Sequence, residues 1–575
     1  MTAPNISAPA VKTRTYLPPD FRIENWEQLE PHYKELYERP VNSAAELQKW
    51  LRDRSELESV VSENLAWRYI RMTCDTTDKK SEEAYLYFVS EIEPHISPFT
   101  NKLNIKLAES PYLQNLKGEG YRIYIRGVRK EIEIFREENI SLFVEIQQEQ
   151  QKYASISGAM TVTLDGQELT LQQAARYLKD TDRKKREEAF GAITARRLKD
   201  KEELDKLFSR LIKLRNKVAL NAGFGNFRDY MFAALGRFDY TAEDCFKFHE
   251  AISTEVVPLV KMLNEERAKK LNVGKLRPWD MEVDTSGKSA LTPFSDGADL
   301  LEKSIACFQK LDPYFSQCLT TMKDLRHLDL ESRIGKAPGG YNYPLAETGI
   351  PFIFMNAAST LRDVETMVHE GGHAIHSFLT RDLELHAFKN CPSEVAELAS
   401  MSMELISMDA WDVYMKDPGD LKRARMEQLE GVIKVLPWIA TVDKFQHWIY
   451  TNPENSPEER KKAWLEISDE FSTHTVDYSG WEDSLAYSWQ KQLHIYEVPF
   501  YYIEYGFAQL GAIAVWKNYI ENPQKALKQY QEALSLGYTR TIGDIYETAG
   551  VRFDFTRGYV KELAHFVKGE LQKVI

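Results

Sequence analysis

The sequence predicts a mainly α-helical protein with a small β-sheet near its middle. Three observations lead there. Across most of the 575 residues, apolar side chains recur every three or four positions between charged ones, the period of an amphipathic helix. Glycine and proline gather chiefly in two segments, 272–297 and 333–360, and leave long stretches unbroken. The second segment carries the apolar run IPFIFMN (350–356) between turn residues, a pattern suited to a short buried strand.

In chain order, residues 1–20 are rich in Pro, Ala and Thr and read as a flexible N-terminal arm. Helical periodicity runs from Trp26 to about Tyr153, and KEIEIFREENISLFVEIQQEQQKYASIS (130–157) reads as one long amphipathic helix. TVTLDGQELT (161–170) alternates instead, and Asp165-Gly166 at its centre predicts a two-residue hairpin turn. Helices resume to about 271. The 272–297 segment is looser, the 333–360 segment holds the sheet and a Gly-rich loop, GKAPGGYNY (335–343), and helix returns from 360 almost to the end.

Composition narrows the partners. Asp and Glu outnumber Lys and Arg by 87 to 74, and a net charge of −13 argues against nucleic acid and anionic membranes. No apolar run is long enough to span a bilayer, and the first residues lack a signal-peptide core. Five scattered cysteines (Cys74, Cys245, Cys307, Cys318, Cys391) contain no CxxC pair, which fits a reducing, cytoplasmic setting.

The chemistry concentrates in LRDVETMVHEGGHAIHSFLT (361–380). His369 and His373 lie four apart, one above the other on a helix, so both imidazoles reach one metal ion. Glu370 sits about 100° round the helix axis, beside the ion, where a general base for metal-bound water belongs. Leu361, Val364, Val368, Ile375, Phe378 and Leu379 form the opposite, buried face. Gly371 and Gly372 each cost about 1 kcal/mol in a helix, so their presence implies close approach of a neighbouring element. His376 is about 10 Å along the axis from His369, too far to share the ion, and reads as an internal polar partner.

A third ligand is needed, with a fourth position left for water. PSEVAELASMSMELISM (392–408) supplies candidates: Glu394, Glu397 and Glu404 share one stripe of a helix whose other residues are apolar. Buried carboxylates require a cation or hydrogen bonds. Spacing alone leaves Glu397 and Glu394 as rival ligands, with Glu404 or Glu394 orienting a histidine from behind.

HEGGHAIHSF followed by PSEVAELASMSMEL resembles the thimet oligopeptidase and oligoendopeptidase F family of zinc metallopeptidases, upstream through GGYNYP and IPFIFMN and downstream into the C-terminal helices. The resemblance selects Glu397 as the ligand and implies one Zn2+ per chain. It implies a two-lobed helical metallopeptidase with a deep central channel and the small sheet beside the HExxH helix. The division is then the arm 1–20, an N-terminal helical domain 21–195, and a catalytic helical domain 196–575.

In HIYEVPFYYIEYGFAQLGA (494–512), His494 matches the family's oxyanion histidine. Tyr505 best matches its helix tyrosine, with the helix start set at Pro499. Another family tyrosine falls at Val498 here, leaving Tyr496 or Tyr502 as substitutes. The IPFIFMN strand is expected to pair with an extended substrate.

The implied activity is a zinc-dependent endopeptidase of short peptides, with zinc-bound water activated by Glu370. A zinc exopeptidase and a non-catalytic helical peptide-binding or scaffold protein are the competing readings. The ligand set also suits cobalt or manganese, and the sequence sets no oligomeric state.

Overall fold

The computed structural model describes residues 13–333, 335–337 and 339–574. The chain is mainly helical with two small sheets. The part of the expected arm that is described is not loose: the backbone N–H groups of Thr15, Tyr16 and Leu17 donate to the Glu56 carboxylate, and Leu17 is buried. Residues 1–12 lie outside the described residues.

The N-terminal helices close around a core of their own, with Leu36, Trp50, Leu57, Phe88 and Leu103 at its centre. Its backbone is α1 (Ala44–Cys74), started by Ser43, whose hydroxyl accepts from the Glu46 N–H. The segment expected as one helix over 130–157 is instead two, α2 (Glu119–Ile134) and α3 (Glu138–Gly158). Tertiary contact overrides local periodicity here. Phe135 turns extended, and the Arg136 guanidinium donates to the freed Glu133 carbonyl and to the Asn221 and Ala222 carbonyls. Those last two end α4 (Lys201–Asn221), which comes later in the chain. Between α3 and α4, β1 (Thr161–Leu164) and β2 (Gln167–Thr170) pair antiparallel, with Asp165 and Gly166 both at positive φ in the turn.

A second, larger core fills the rest of the chain and takes in α5 (Ala242–Ala251) through Cys245, Phe248 and Ala251. The sheet joins the two. Its order is β3 (Leu328–Glu331), β5 (Phe352–Ala357), β4 (Tyr341–Tyr343), with β3 parallel and β4 antiparallel to β5. Alternation on β5 explains its unbroken apolar run. Phe352 and Phe354 pack with Ala66 and Ile70 of α1, while Ile353 and Met355 face the larger core. Because β5 is the central strand, both its edges are occupied, so it cannot take up a substrate strand as expected. The outer edge belongs to β4.

Among the described residues no helix is long and apolar enough to cross a membrane.

Candidate metal centre and active site

The candidate site is built on two crossing helices. α6 (Leu361–Thr380) follows β5 directly and is opened by a capping box between Thr360 and Asp363. α7 (Ser393–Ser407) begins after Pro392. The glycine pair of α6 is what lets them cross. A Cβ on Gly372 would lie 2.7 Å from Ser400 Cα and 2.8 Å from the Ala399 oxygen, both α7 backbone. A Cβ on Gly371 would meet the Phe308 ring.

This crossing brings His369, His373 and Glu397 together. Their ligand atoms all lie within 4.8 Å of one another. His369 Nε2 is 3.4 Å and His373 Nε2 3.7 Å from Glu397 Oε2. Atoms about 2.0–2.1 Å from a tetrahedral zinc stand about 3.3–3.4 Å apart, so the donor set fits such an ion. The imidazoles are about one-fifth exposed, at 20% and 19%, which leaves the site open to water and substrate on one side.

The surrounding hydrogen bonds aim these atoms. His369 Nδ1 lies 2.6 Å from Glu404 Oε1, and Gln428 Nε2 donates to the other Glu404 oxygen. That carboxylate–histidine contact turns Nε2 toward Glu397. Ser400 Oγ donates to Glu397 Oε2 and Tyr501 Oη to Glu397 Oε1.

Burial and the neighbouring carboxylates set the protonation of these groups against one another. Burial depresses the basicity of His369, but the Glu404 hydrogen bond and the Glu397 charge outweigh it and raise the imidazole to about 9. His373 is driven down to about 3 by burial and by the charge on His369. Glu370, buried beside them, is lifted to about 7, chiefly by desolvation, with His369 pulling down and Glu397 pushing up. Its backbone carbonyl accepts from Asn342 Nδ2 of β4, tying that edge strand to the general-base position.

The rivals for these roles go elsewhere. The Glu394 side chain accepts from the buried Tyr240 hydroxyl, away from the imidazoles. His376 is buried with Nε2 3.4 Å from Cys391 Sγ, an internal partner.

Opposite α7, His494 lies in α9 (Leu493–Glu497), reached through α8 (Pro418–Thr451), and the tyrosines lie at the start of α10 (Tyr502–Glu521). The helix begins three residues later than the Pro499 anchor. Phe500 instead takes φ +68° in a turn, its N–H donating to Gln446 Oε1. This shift puts Tyr501 against Glu397, a contact the sequence reading missed. Its four-residue spacing from Tyr505 was the available signal. Tyr505 Oη lies 3.5 Å from His494 Nε2. The Tyr502 ring stands 5.0 Å from that of His494. Tyr496 does not reach the site. It is fully buried, stacked 4.2 Å from the Tyr153 ring and 5.9 Å from Trp489, because the one-turn α9 directs His494 and Tyr496 to different sides.

His494 carries a further instruction. Burial lowers it to about 4, so it is neutral near pH 7 and owns one N–H. Trp438 Nε1, a donor only, donates to Gln492 Oε1 at 3.0 Å. The Gln492 amide nitrogen must then face His494 Nδ1, at 2.7 Å. Nδ1 is thereby an acceptor and the proton sits on Nε2, pointing toward Tyr505. The same Trp438 lines a cavity of about 1650 Å³, which extends away from the imidazoles between Arg197, Lys434 and Tyr478.

Peptidase family M3 matches residues 176–565, more than half of the chain, and the peptidase M3 N-terminal domain matches residues 19–135. The plasmid oligoendopeptidase F of Lactococcus lactis subsp. cremoris is 23% identical over 393 residues, covering 68% of this chain and 63% of that relative. The chromosomal oligoendopeptidase F of the same organism is 23% identical over 335 residues, covering 56% of this chain and 53% of the relative. The chain thus spans between half and two thirds of the length of these relatives. The solved structure of PZ peptidase A with an inhibitor superposes with a TM-score of 0.91 at 28% identity, over 96% of this chain and 99% of that one.

Proposed function

The chain belongs to peptidase family M3, and on that premise we propose that it is a zinc-dependent endopeptidase hydrolysing internal bonds of short oligopeptides. The observation that carries this reading is the convergence of His369, His373 and Glu397 at ligand spacing with Glu370 beside them. Those three side chains would hold one zinc ion per chain. Bound there, zinc supplies a Lewis acid that lowers the pKa of water and polarises a carbonyl.

The chain's own residues do the rest. Glu370 takes the proton of the attacking water and hands it to the leaving amine. His494, through Nε2–H, and Tyr505, through its hydroxyl, donate to the oxygen that becomes negative as the carbonyl carbon turns tetrahedral. Tyr501 is committed to Glu397 and positions the ligand. Tyr502 packs on His494. The free edge of β4 is the place for an extended peptide to add as a strand, with Asn342 linking that edge to Glu370.

A peptide blocked at both ends tests this reading. Cleavage at an internal bond is expected, lost on dialysis against a chelator and restored by added zinc. Cleavage that survives metal removal overturns the zinc assignment, and a metal-loaded enzyme that leaves blocked peptides intact but trims free ends is an exopeptidase.

The tautomer argument gives a second expectation. Losing an oxyanion donor costs about 10²–10³ in kcat, and His494→Ala falls in that range. Gln492→Leu keeps the imidazole but frees its tautomer, so kcat drops by about tenfold with zinc content unchanged. A Gln492→Leu enzyme turning over at the parent rate shows that the Trp438–Gln492 relay does not set the proton on His494.

A further inference from the structure

A second group of metal-ligating side chains lies in the interior, apart from the set on α6 and α7. It comes from α8 and from α5. α5 contributes Cys245 and His249, and α8 contributes Asp443 and His447. Each pair is four residues apart, so each helix presents two side chains on one face. That is the spacing of His369 and His373 again. None of the four is more than 3% exposed.

The atoms converge. A ligand atom from each of Cys245, Asp443 and His447 lies within 4.8 Å of the other two. His447 Nε2 is 3.3 Å from Asp443 Oδ2, a ligand-to-ligand distance like those around the α6–α7 site. His249 Nε2 lies 2.8 Å from the same carboxylate oxygen.

Beyond that one contact between His249 and Asp443, several polar atoms here have no partner. Both nitrogens of His447, Asp443 Oδ1 and His249 Nδ1 are buried with no hydrogen-bond partner. Each such atom is costly to bury. Phe246, Phe500 and Phe232 rings pack on His447 at 4.9, 5.3 and 5.9 Å.

We propose that this cluster is a second divalent metal site, a buried zinc site with Cys245, Asp443 and His447 as ligands and His249 orienting the aspartate. Cys245 releases its thiol proton to solvent on binding and ligates as thiolate. One thiolate and one carboxylate then balance the charge of a divalent ion. Thiolate and imidazole favour zinc over magnesium or calcium. The ion clamps two helices and sits behind Phe500, whose turn aims Tyr501 at Glu397.

Cobalt separates the two sites, because the His369–His373–Glu397 set contains no sulfur. The full chain is produced in cobalt-supplemented, zinc-depleted medium, and its metal content and near-ultraviolet absorption are measured. Two cobalt ions per chain are expected, with a sulfur-to-cobalt charge-transfer band. Cys245→Ser should abolish the band and leave one cobalt, while His369→Ala should keep the band. One cobalt per chain without the band in the parent protein overturns the proposal without recourse to any variant. A band that survives Cys245→Ser overturns it as well, since the sulfur then comes from another cysteine.

Discussion

Replacing Glu370 by glutamine abolishes peptide hydrolysis while zinc remains bound. Glutamine matches glutamate in size, so the buried position beside the imidazoles stays filled, and His369 keeps its contact with Glu404 and Glu397 its contacts with Ser400 and Tyr501. What is lost is the ability to accept a proton. Positioned acid–base catalysis is worth about 10²–10⁴ in rate, and in the proposed mechanism Glu370 acts twice, toward water and toward the leaving amine. A fall of at least about 10³ in kcat on a quenched fluorescent peptide is therefore expected, with one zinc per chain at the catalytic site as in the parent. The base must be ionised to work. Burial lifts Glu370 to about 7, and a bound cation pulls it back down. The acid limb of kcat/KM thus lies below about pH 7 and rises through the pKa of Glu370 toward neutrality. Parent-level turnover by Glu370→Gln would remove Glu370 from the mechanism and leave the ligand set standing.

The legible and illegible parts of the chain differ in what determines them. The HExxH helix could be read because its apolar face, from Leu361 to Leu379, is a local property of twenty residues, and the glycine pair announced a close crossing without saying with what. The partner proved to be the backbone of the very helix that carries Glu397. The contact of Glu404 with His369 was likewise foreshadowed by the carboxylate stripe. The failures were non-local. Nothing in the periodicity of 130–157 reports that Arg136 will cap a helix that comes later in the chain. The start of α10 depends on a left-handed Phe500 held by Gln446 on α8, so anchoring at Pro499 misaligned the tyrosines. That hid Tyr501 and left Tyr496 as a candidate when it belongs to an aromatic stack. The run IPFIFMN identified a strand, but its rank as the central strand is set by β3 and β4, and this moves substrate pairing to the edge at β4.

Gly372→Ala is the second change expected to disable the enzyme, and it acts through the fold alone. Intrinsic propensity favours alanine at a helical position by about 1 kcal/mol. Against this stands a methyl group 2.7 Å from Ser400 Cα and 2.8 Å from the Ala399 oxygen. No rotamer relieves a backbone contact, and the Ala399 carbonyl is pinned by a hydrogen bond from Tyr530. Overpacking of this kind costs about 1–3 kcal/mol, so the clash wins and α7 must move. Ser400 moves with it, and its hydroxyl is what holds Glu397 Oε2. Displacing a group that positions a ligand lowers metal affinity by about 10- to 100-fold. Titration against a competing chelator should therefore show weakened zinc at the catalytic site, and activity at limiting zinc should fall in step and recover partly with excess. Gly371→Ala provides the contrast. Its methyl group meets the Phe308 ring, a side chain and not the backbone of α7, so it should strain the core yet hold zinc more nearly as the parent does. Equal zinc affinity in Gly372→Ala and the parent would mean that the approach of α6 to α7 does not set the position of Glu397.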